Sequence, residues 1–144
     1  MFIYFIGFVV LFLDQFTKHL ALRNLSLKSI PIIKNVLHLT LTFNTGAAFG
    51  ILKGYNPFFI FVSIVIIIFF SLNLKGFEKK NFLFKCSVGL ILGGAIGNLI
   101  DRVRFGYVID FIDLRVWPVF NIADSSVTVG IFLFILNHLI RTQK

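Results

Sequence analysis

Four predominantly apolar stretches of this chain contain no charged side chain, and each is rich in aliphatic residues. They span residues 1–13, 54–74, 86–100 and 125–140. A helix needs about 20 mostly apolar residues to cross a bilayer, which 54–74 supplies alone and the other stretches supply with their flanking residues. Hydrophobic residues make up 58% of the chain and charged residues 14%, against about 45–50% and about 25% in soluble domains. The sequence therefore predicts an integral membrane protein with four transmembrane helices.

Basic residues outnumber acidic ones, with 14 Lys and Arg against six Asp and Glu and a net charge of +8. A nucleic-acid site requires basic residues gathered on one face, whereas here they are scattered between apolar runs. Anionic lipid headgroups are the partners that such a distribution favours. We therefore expect contacts with membrane lipids and none with nucleic acid.

The orientation in the membrane follows from the segment 75–85, which carries Lys75, Lys79, Lys80 and Lys85. Short loops dense in Lys and Arg remain in the cytoplasm. With four alternating helices, both termini are then cytoplasmic and the two longer polar connections lie outside. We expect a single domain over residues 1–144, because no linker is long enough to separate a second one.

Two segments of the first outer connection have their own patterns. Residues 37–43 alternate apolar and polar side chains, which predicts a strand in a small extracytoplasmic β-sheet. Residues 20–33 are amphipathic and basic, which predicts a helix lying on the membrane surface. The expected fold is thus an all-α membrane protein with four transmembrane helices, a small extracytoplasmic sheet and an amphipathic surface helix.

Five of the six acidic residues are aspartates that fall on the proposed outer side, and three of them have local partners in the sequence. Asp14 and Lys18 are four residues apart on one helical face, Asp101 precedes Arg102 and Arg104, and Asp113 precedes Arg115. Ionisable groups near a membrane are costly, so each needs a partner or a function. For these three, structural pairing and a role in a site are equally consistent with the sequence.

Asp110 and Asp124 differ from the other aspartates because apolar neighbours surround them and no base is adjacent. Asp124 also precedes an apolar run, so it is a candidate helix N-cap. If the two carboxyl groups meet, low polarity and mutual repulsion keep one protonated while the other is ionised. An aspartyl hydrolase needs such a pair. His19, His38 and His138 lie in three separate segments without metal-ligand spacing, so we expect no metal site.

Five ordered motifs match a known family. They are DQFTK at 14–18, NTGAAFG at 44–50, GGAIGNLIDR at 93–102, VIDF at 108–111 and FNIAD at 120–124. Through these motifs the chain resembles the lipoprotein signal peptidases, the type II signal peptidases of bacteria, over essentially its whole length.

The resemblance implies a multi-pass aspartyl endopeptidase of the bacterial cytoplasmic (inner) membrane whose active site faces outward. Its substrates are prolipoproteins that carry a diacylglyceryl group on the cysteine after the cut. Asp110 and Asp124 are the implied catalytic pair, which activates water without a metal or organic cofactor. The implied substrate-binding or positioning residues are Asp14, Lys18, Asn44, Gly94, Asn98, Asp101, Arg102, Val108 and Asn121.

The main alternative is a small proton- or ion-conducting transporter, in which the aspartates line a polar path through the bilayer. Such a path requires acidic residues deep within the helices. The inner halves of the second, third and fourth helices contain none, which favours a site at one face of the membrane.

Overall fold

The computed structural model describes residues 1–25, 29–46 and 52–142, and it contains four long helices and three short strands. The elements are α1 (Phe2–Asn24), β1 (Ile30–Ile33), β2 (Leu37–Asn44), α2 (Asn56–Phe77), α3 (Phe82–Phe105), β3 (Val108–Asp113) and α4 (Ile122–Thr142). Each helix is long and apolar enough to cross a membrane. The prediction of four transmembrane helices is confirmed.

The three strands form one antiparallel sheet in the order β1-β2-β3. The predicted strand at 37–43 is confirmed as part of β2. Because β2 belongs to the α1–α2 connection and β3 to the α3–α4 connection, both connections lie at the same end of the helices, here called the sheet end. At the opposite end, the amine of Met1 lies 2.7 Å from Oε1 of Glu78, beside the α2–α3 connection.

The predicted amphipathic surface helix over residues 20–33 is wrong. Its first residues complete α1, the backbone becomes extended at Leu25, and Ile30–Ile33 forms strand β1; residues 26–28 lie outside the described ranges. Pro31 has no amide hydrogen to donate within a helix, and the neighbouring β-branched isoleucines favour an extended backbone. Proline is tolerated here because β1 is an edge strand of the sheet.

Helix α3 is the most buried of the four and packs against each of the other three. Two of its glycines permit this close approach. A Cβ atom at Gly94 would lie 2.5 Å from the carbonyl oxygen of Ala123 in α4, and one at Gly97 would lie 2.5 Å from Oδ2 of Asp14 in α1. The overlap at Gly94 is with backbone and could be relieved only by moving a helix, whereas the overlap at Gly97 would displace the carboxylate of Asp14. The glycines therefore set how closely the polar side chains of α1, α3 and α4 meet.

Candidate active site

Asp110 and Asp124 meet at the sheet end, where one side chain connects them. Asp110 lies on β3, and Asp124 lies in the first turn of α4. Asn121 donates from Nδ2 to Oδ1 of Asp110 at 2.7 Å, and its own Oδ1 accepts from the backbone amide of Asp124 at 2.8 Å. The structure thus brings together two aspartates that are separated by a loop in the sequence, close enough for the charge of Asp124 to act on Asp110.

The same hydrogen bonds show that Asn121, and not Asp124, caps α4. Asn is as good an N-cap as Asp, because its side-chain oxygen accepts from the free amides of the first turn. Asn121 takes this position and leaves the carboxylate of Asp124 available for other contacts. The capping role that the sequence allowed for Asp124 is therefore wrong.

Two further asparagines each donate to one of the carboxyl groups. Asn44 on β2 donates to Oδ2 of Asp110 at 3.0 Å, and Asn98 on α3 donates to Oδ1 of Asp124 at 2.7 Å. The backbone amide of Gly46 donates to Oδ1 of Asn44, which fixes the direction of that amide group. Each carboxyl group is therefore held by neutral donors, which orient it without the permanent ion pair that would suppress its protonation.

The protonation of Asp110 follows from this setting. Burial raises its pKa the most, and the nearby negative charge of Asp124 raises it further. The hydrogen bonds from Asn44 and Asn121 and the charge of Lys18 act in the opposite direction, and the resulting pKa is about 7. At neutral pH this carboxyl group can hold a proton or release one, as general acid–base catalysis requires.

A buried ion-pair network lies beside the two carboxyl groups. Lys18 is only 2% exposed, and its Nζ lies 2.8 Å from Oδ2 of Asp14, 2.8 Å from Oδ2 of Asp101 and 2.9 Å from Oδ1 of Asn98. The predicted Asp14–Lys18 pair is confirmed. Asp101 forms its ion pair with Lys18 of α1, and not with the arginines that follow it in the sequence.

The aspartates of this network also hold the backbone next to each catalytic candidate. Oδ1 of Asp14 accepts from the amide of Ala123, the residue before Asp124, at 2.9 Å. Oδ2 of Asp101 accepts from the amide of Ile109, the residue before Asp110, at 3.1 Å. The network therefore fixes the start of α4 and strand β3 relative to each other.

Gln15 also belongs to this buried network, although it was not among the site residues predicted from the sequence. Its Nε2 lies 3.2 Å from Oδ2 of Asp14, 3.1 Å from Oδ1 of Asp101 and 3.2 Å from the carbonyl oxygen of Gly97. The only signal for it in the sequence is its position in the DQFTK motif. Helix geometry turns its side chain, like those of Asp14 and Lys18, towards α3.

A cavity of about 360 Å³ opens beside Asp124. Val108 and Arg102 contribute to its wall, as do Asn44 and Asn98, whereas Asp110 is 1% exposed. The sequence assigned no site role to the rest of the lining, which comes from α2, α3, α4, the segment after β2 and the loop before α4. It consists of Gly46, Ser63, Ile66, Ala95, Trp117, Pro118, Val119, Phe120, Val127 and Thr128.

Asp113 stands apart from this site. Its carboxylate lies 3.2 Å from the guanidinium of Arg115, which confirms the predicted pair, and it also accepts from the hydroxyl of Thr40 and the amide of Arg115. Burial acts to raise the pKa of Asp113, but these contacts outweigh it and hold the pKa below the ordinary value. Asp113 is thus a structural carboxylate. Within the described ranges, no three His, Cys, Asp or Glu side chains are grouped to hold a metal ion.

Comparison with known proteins shows the family to which this chain belongs. The chain is 49% identical to the lipoprotein signal peptidase of Halothermothrix orenii over 93% of its length and 92% of that protein. It is 46% identical to the lipoprotein signal peptidase of Shouchella clausii, over 98% of this chain and 95% of that protein.

Solved structures show the same fold. A bacterial membrane enzyme determined at 2.3 Å by the in meso method superposes with a TM-score of 0.87 at 38% identity, covering 96% of this chain and 87% of that one. A second, at 1.9 Å, gives a TM-score of 0.84 at 37% identity, covering 94% and 90%. The family profile described as Signal peptidase (SPase) II matches residues 6–140. This chain, a multi-pass bacterial membrane protein, therefore belongs to the signal peptidase II family of aspartic-type peptidases.

Proposed function

We propose that this peptidase removes the signal peptide from diacylglyceryl-modified prolipoproteins, and that it cuts on the N-terminal side of the lipidated cysteine. The lipoprotein signal peptidases to which the chain is similar support the substrate class. The observation that carries the chemistry is the Asn121 bridge, which links Asp110 to Asp124 beside a cavity. Two carboxyl groups in such a setting share one proton.

In the proposed reaction, the ionised carboxylate of Asp124 takes a proton from water, and the water oxygen attacks the scissile carbonyl carbon. Asp110 gives its proton to the carbonyl oxygen. When the tetrahedral intermediate collapses, the bond to nitrogen breaks and that nitrogen receives the proton held by Asp124. One of the two hydroxyl groups on the carbon returns its proton to Asp110 as the carboxyl product forms. The two products leave the pair with one proton again, so no cofactor is needed. Asp124 takes the role of base because it lines the cavity.

The remaining side chains of the site position this pair and the peptide. Asn44, Asn98 and Asn121 orient the carboxyl groups, and Lys18 with Asp14 and Asp101 holds the backbone beside them. Gly94 allows α4 to approach α3, while Arg102 and Val108 form part of the cavity wall that faces the substrate.

An assay with purified protein tests the proposed function directly. In detergent or lipid vesicles, a precursor with a diacylglyceryl group on its cysteine should be shortened on a gel. Mass spectrometry should place the new N-terminus at that cysteine. The matched control is the same precursor with its cysteine replaced by serine, which cannot carry the thioether-linked lipid and should remain intact. Equal cleavage of both precursors would contradict the lipid requirement, and cleavage of neither would contradict the proposed function.

The orientation of the protein is the next prediction. We propose that the sheet end faces outward, because the basic α2–α3 connection resists translocation. In a background with Cys86 replaced by serine, cysteine at exposed Ser29 should react with a membrane-impermeant maleimide on intact cells. Cysteine at exposed Lys79 should react only after the cells are opened. Labelling of both positions from outside would reject this topology.

The pH dependence of cleavage is a further prediction. Because the pKa of Asp110 is about 7, both carboxyl groups are ionised at higher pH and kcat/KM should fall. Asn44→Ala removes a hydrogen bond that lowers this pKa, so its alkaline limb should move to higher pH. Rates measured between about pH 5 and about pH 9 give the limb. An unchanged limb in Asn44→Ala would show that another group titrates.

A further inference from the structure

Helix α2 contacts Arg102 at two points, through two residues of one helical face. The guanidinium carbon of Arg102 lies 5.1 Å from the centre of the Phe59 ring. Nδ2 of Asn56 donates to the carbonyl oxygen of Arg102 at 3.2 Å. Residues three apart on a helix are neighbours on its surface, so Asn56 fixes the backbone of Arg102 while Phe59 contacts its charge.

The guanidinium of Arg102 also lacks a carboxylate partner in the described part of the chain, where none lies within ion-pair distance. Among the described residues, the hydrogen bond of its guanidinium is a long contact of 3.4 Å from Nη2 to the carbonyl oxygen of Gly46. The negative charges of Asp124 and Asp110 nevertheless act on it. A long arginine side chain near two carboxyl groups needs a competing attraction to remain apart from them. The face of an aromatic ring supplies one, since arginine stacks on aromatic rings and is attracted to their negative face.

We propose that Phe59 is a positioning residue that holds the Arg102 guanidinium in the cavity wall, where it faces the bound peptide without forming an ion pair with Asp124. A guanidinium has five N–H donors and no acceptor, so its partners there are carbonyl oxygens of the substrate backbone. The catalytic consequence rests on the proposed function, whereas the placement of Arg102 by the ring does not.

The placement can be measured without cleavage. In detergent micelles, the Nε–Hε signal of Arg102, assigned through its loss in Arg102→Lys, should be shifted upfield by the ring current of Phe59. Phe59→Leu should remove that shift. The matched control is Phe61→Leu on the same helix, because Phe61 is 64% exposed, and it should leave the signal unchanged. A signal that is the same in Phe59→Leu and wild type would overturn the proposal, whether or not the protein cleaves precursor.

The catalytic consequence is tested by fluorination, which weakens the negative face of a ring with little change in its size. Mono-, di- and trifluorinated phenylalanine at position 59 should lower kcat/KM stepwise, by about 3- to 30-fold across the series. Phe59→Trp and Phe59→Tyr should keep most of the activity. The same fluorinated residues at position 61 should have no effect. Phe59→Leu should add nothing in an Arg102→Ala background, because the two residues act as one unit.

These kinetics separate attraction from packing. If kcat/KM is constant along the fluorinated series while Phe59→Leu is impaired, Phe59 only fills space and the positioning role is wrong. If the wild-type protein does not cleave the precursor, the proposed function is contradicted. The NMR measurement would still decide whether the Phe59 ring holds Arg102.

Discussion

Asp110→Asn and Asp124→Asn are each expected to lower the rate of precursor cleavage by about 10²- to 10⁴-fold or more, to near background. Asn keeps the shape of the side chain, but it can neither take a proton from water nor supply an acidic one. The double variant should be little slower than either single variant, because residues that act as one unit are strongly non-additive. Initial rates with the lipidated precursor measure all three.

The matched control for these variants is Asp113→Asn. Asp113 lies on the same strand as Asp110, but it pairs with Arg115 outside the cavity. We expect its rate to remain near that of wild type. All the variants should insert and keep their helical circular dichroism, which separates lost chemistry from lost folding. Near wild-type cleavage by Asp124→Asn would remove Asp124 from the catalytic pair.

Lys18→Met is expected to lower the free energy of unfolding by about 3–5 kcal/mol. Met matches the length of the apolar part of Lys but carries no charge. Asp14 and Asp101 would then remain buried, 0% and 1% exposed, without the cation that compensates them. The network also holds the amides of Ala123 and Ile109, so cleavage should fall as well. Thermal or denaturant unfolding in detergent measures the change.

Two comparisons show whether charge compensation causes this loss. Lys34→Met removes an exposed lysine from the turn between β1 and β2, and it should change stability by less than about 0.5 kcal/mol. Adding Asp101→Asn to Lys18→Met should restore part of the lost stability, because it removes one of the two uncompensated charges. If the added substitution lowers stability further, the cost comes from packing and not from buried charge.

Much of this fold could be predicted from the sequence because its causes are local. A run of apolar residues becomes a transmembrane helix wherever it lies, since a helix satisfies its own backbone hydrogen bonds where no water is present. Strand β2 followed from the alternation of its side chains, and the Asp14–Lys18 pair from the spacing of one helical turn. The resemblance to a family, and not any physical pattern, singled out Asn44 and Asn98.

Other features depended on contacts between distant residues. Lys18 reaches Asn98, which is 80 residues away, and no local rule distinguishes this from a pairing of Asp101 with the arginines beside it. The amphipathic pattern indicated a helix at Ile30–Ile33. This segment, which contains Pro31, instead pairs with the edge of β2 and forms strand β1.

The N-cap of α4 depended on both local sequence and tertiary contacts. From the sequence, Asp124 was the candidate to cap this helix, because an Asp side chain accepts hydrogen bonds from a free first turn. Only the tertiary structure decided that Asn121 does so, because its amide also donates to Asp110 on a strand that the sheet brings alongside. That choice leaves the carboxylate of Asp124 at the cavity. The sequence therefore determined which residue types meet the membrane and the water, and the packing of α1, α3 and α4 decided which of them meet each other.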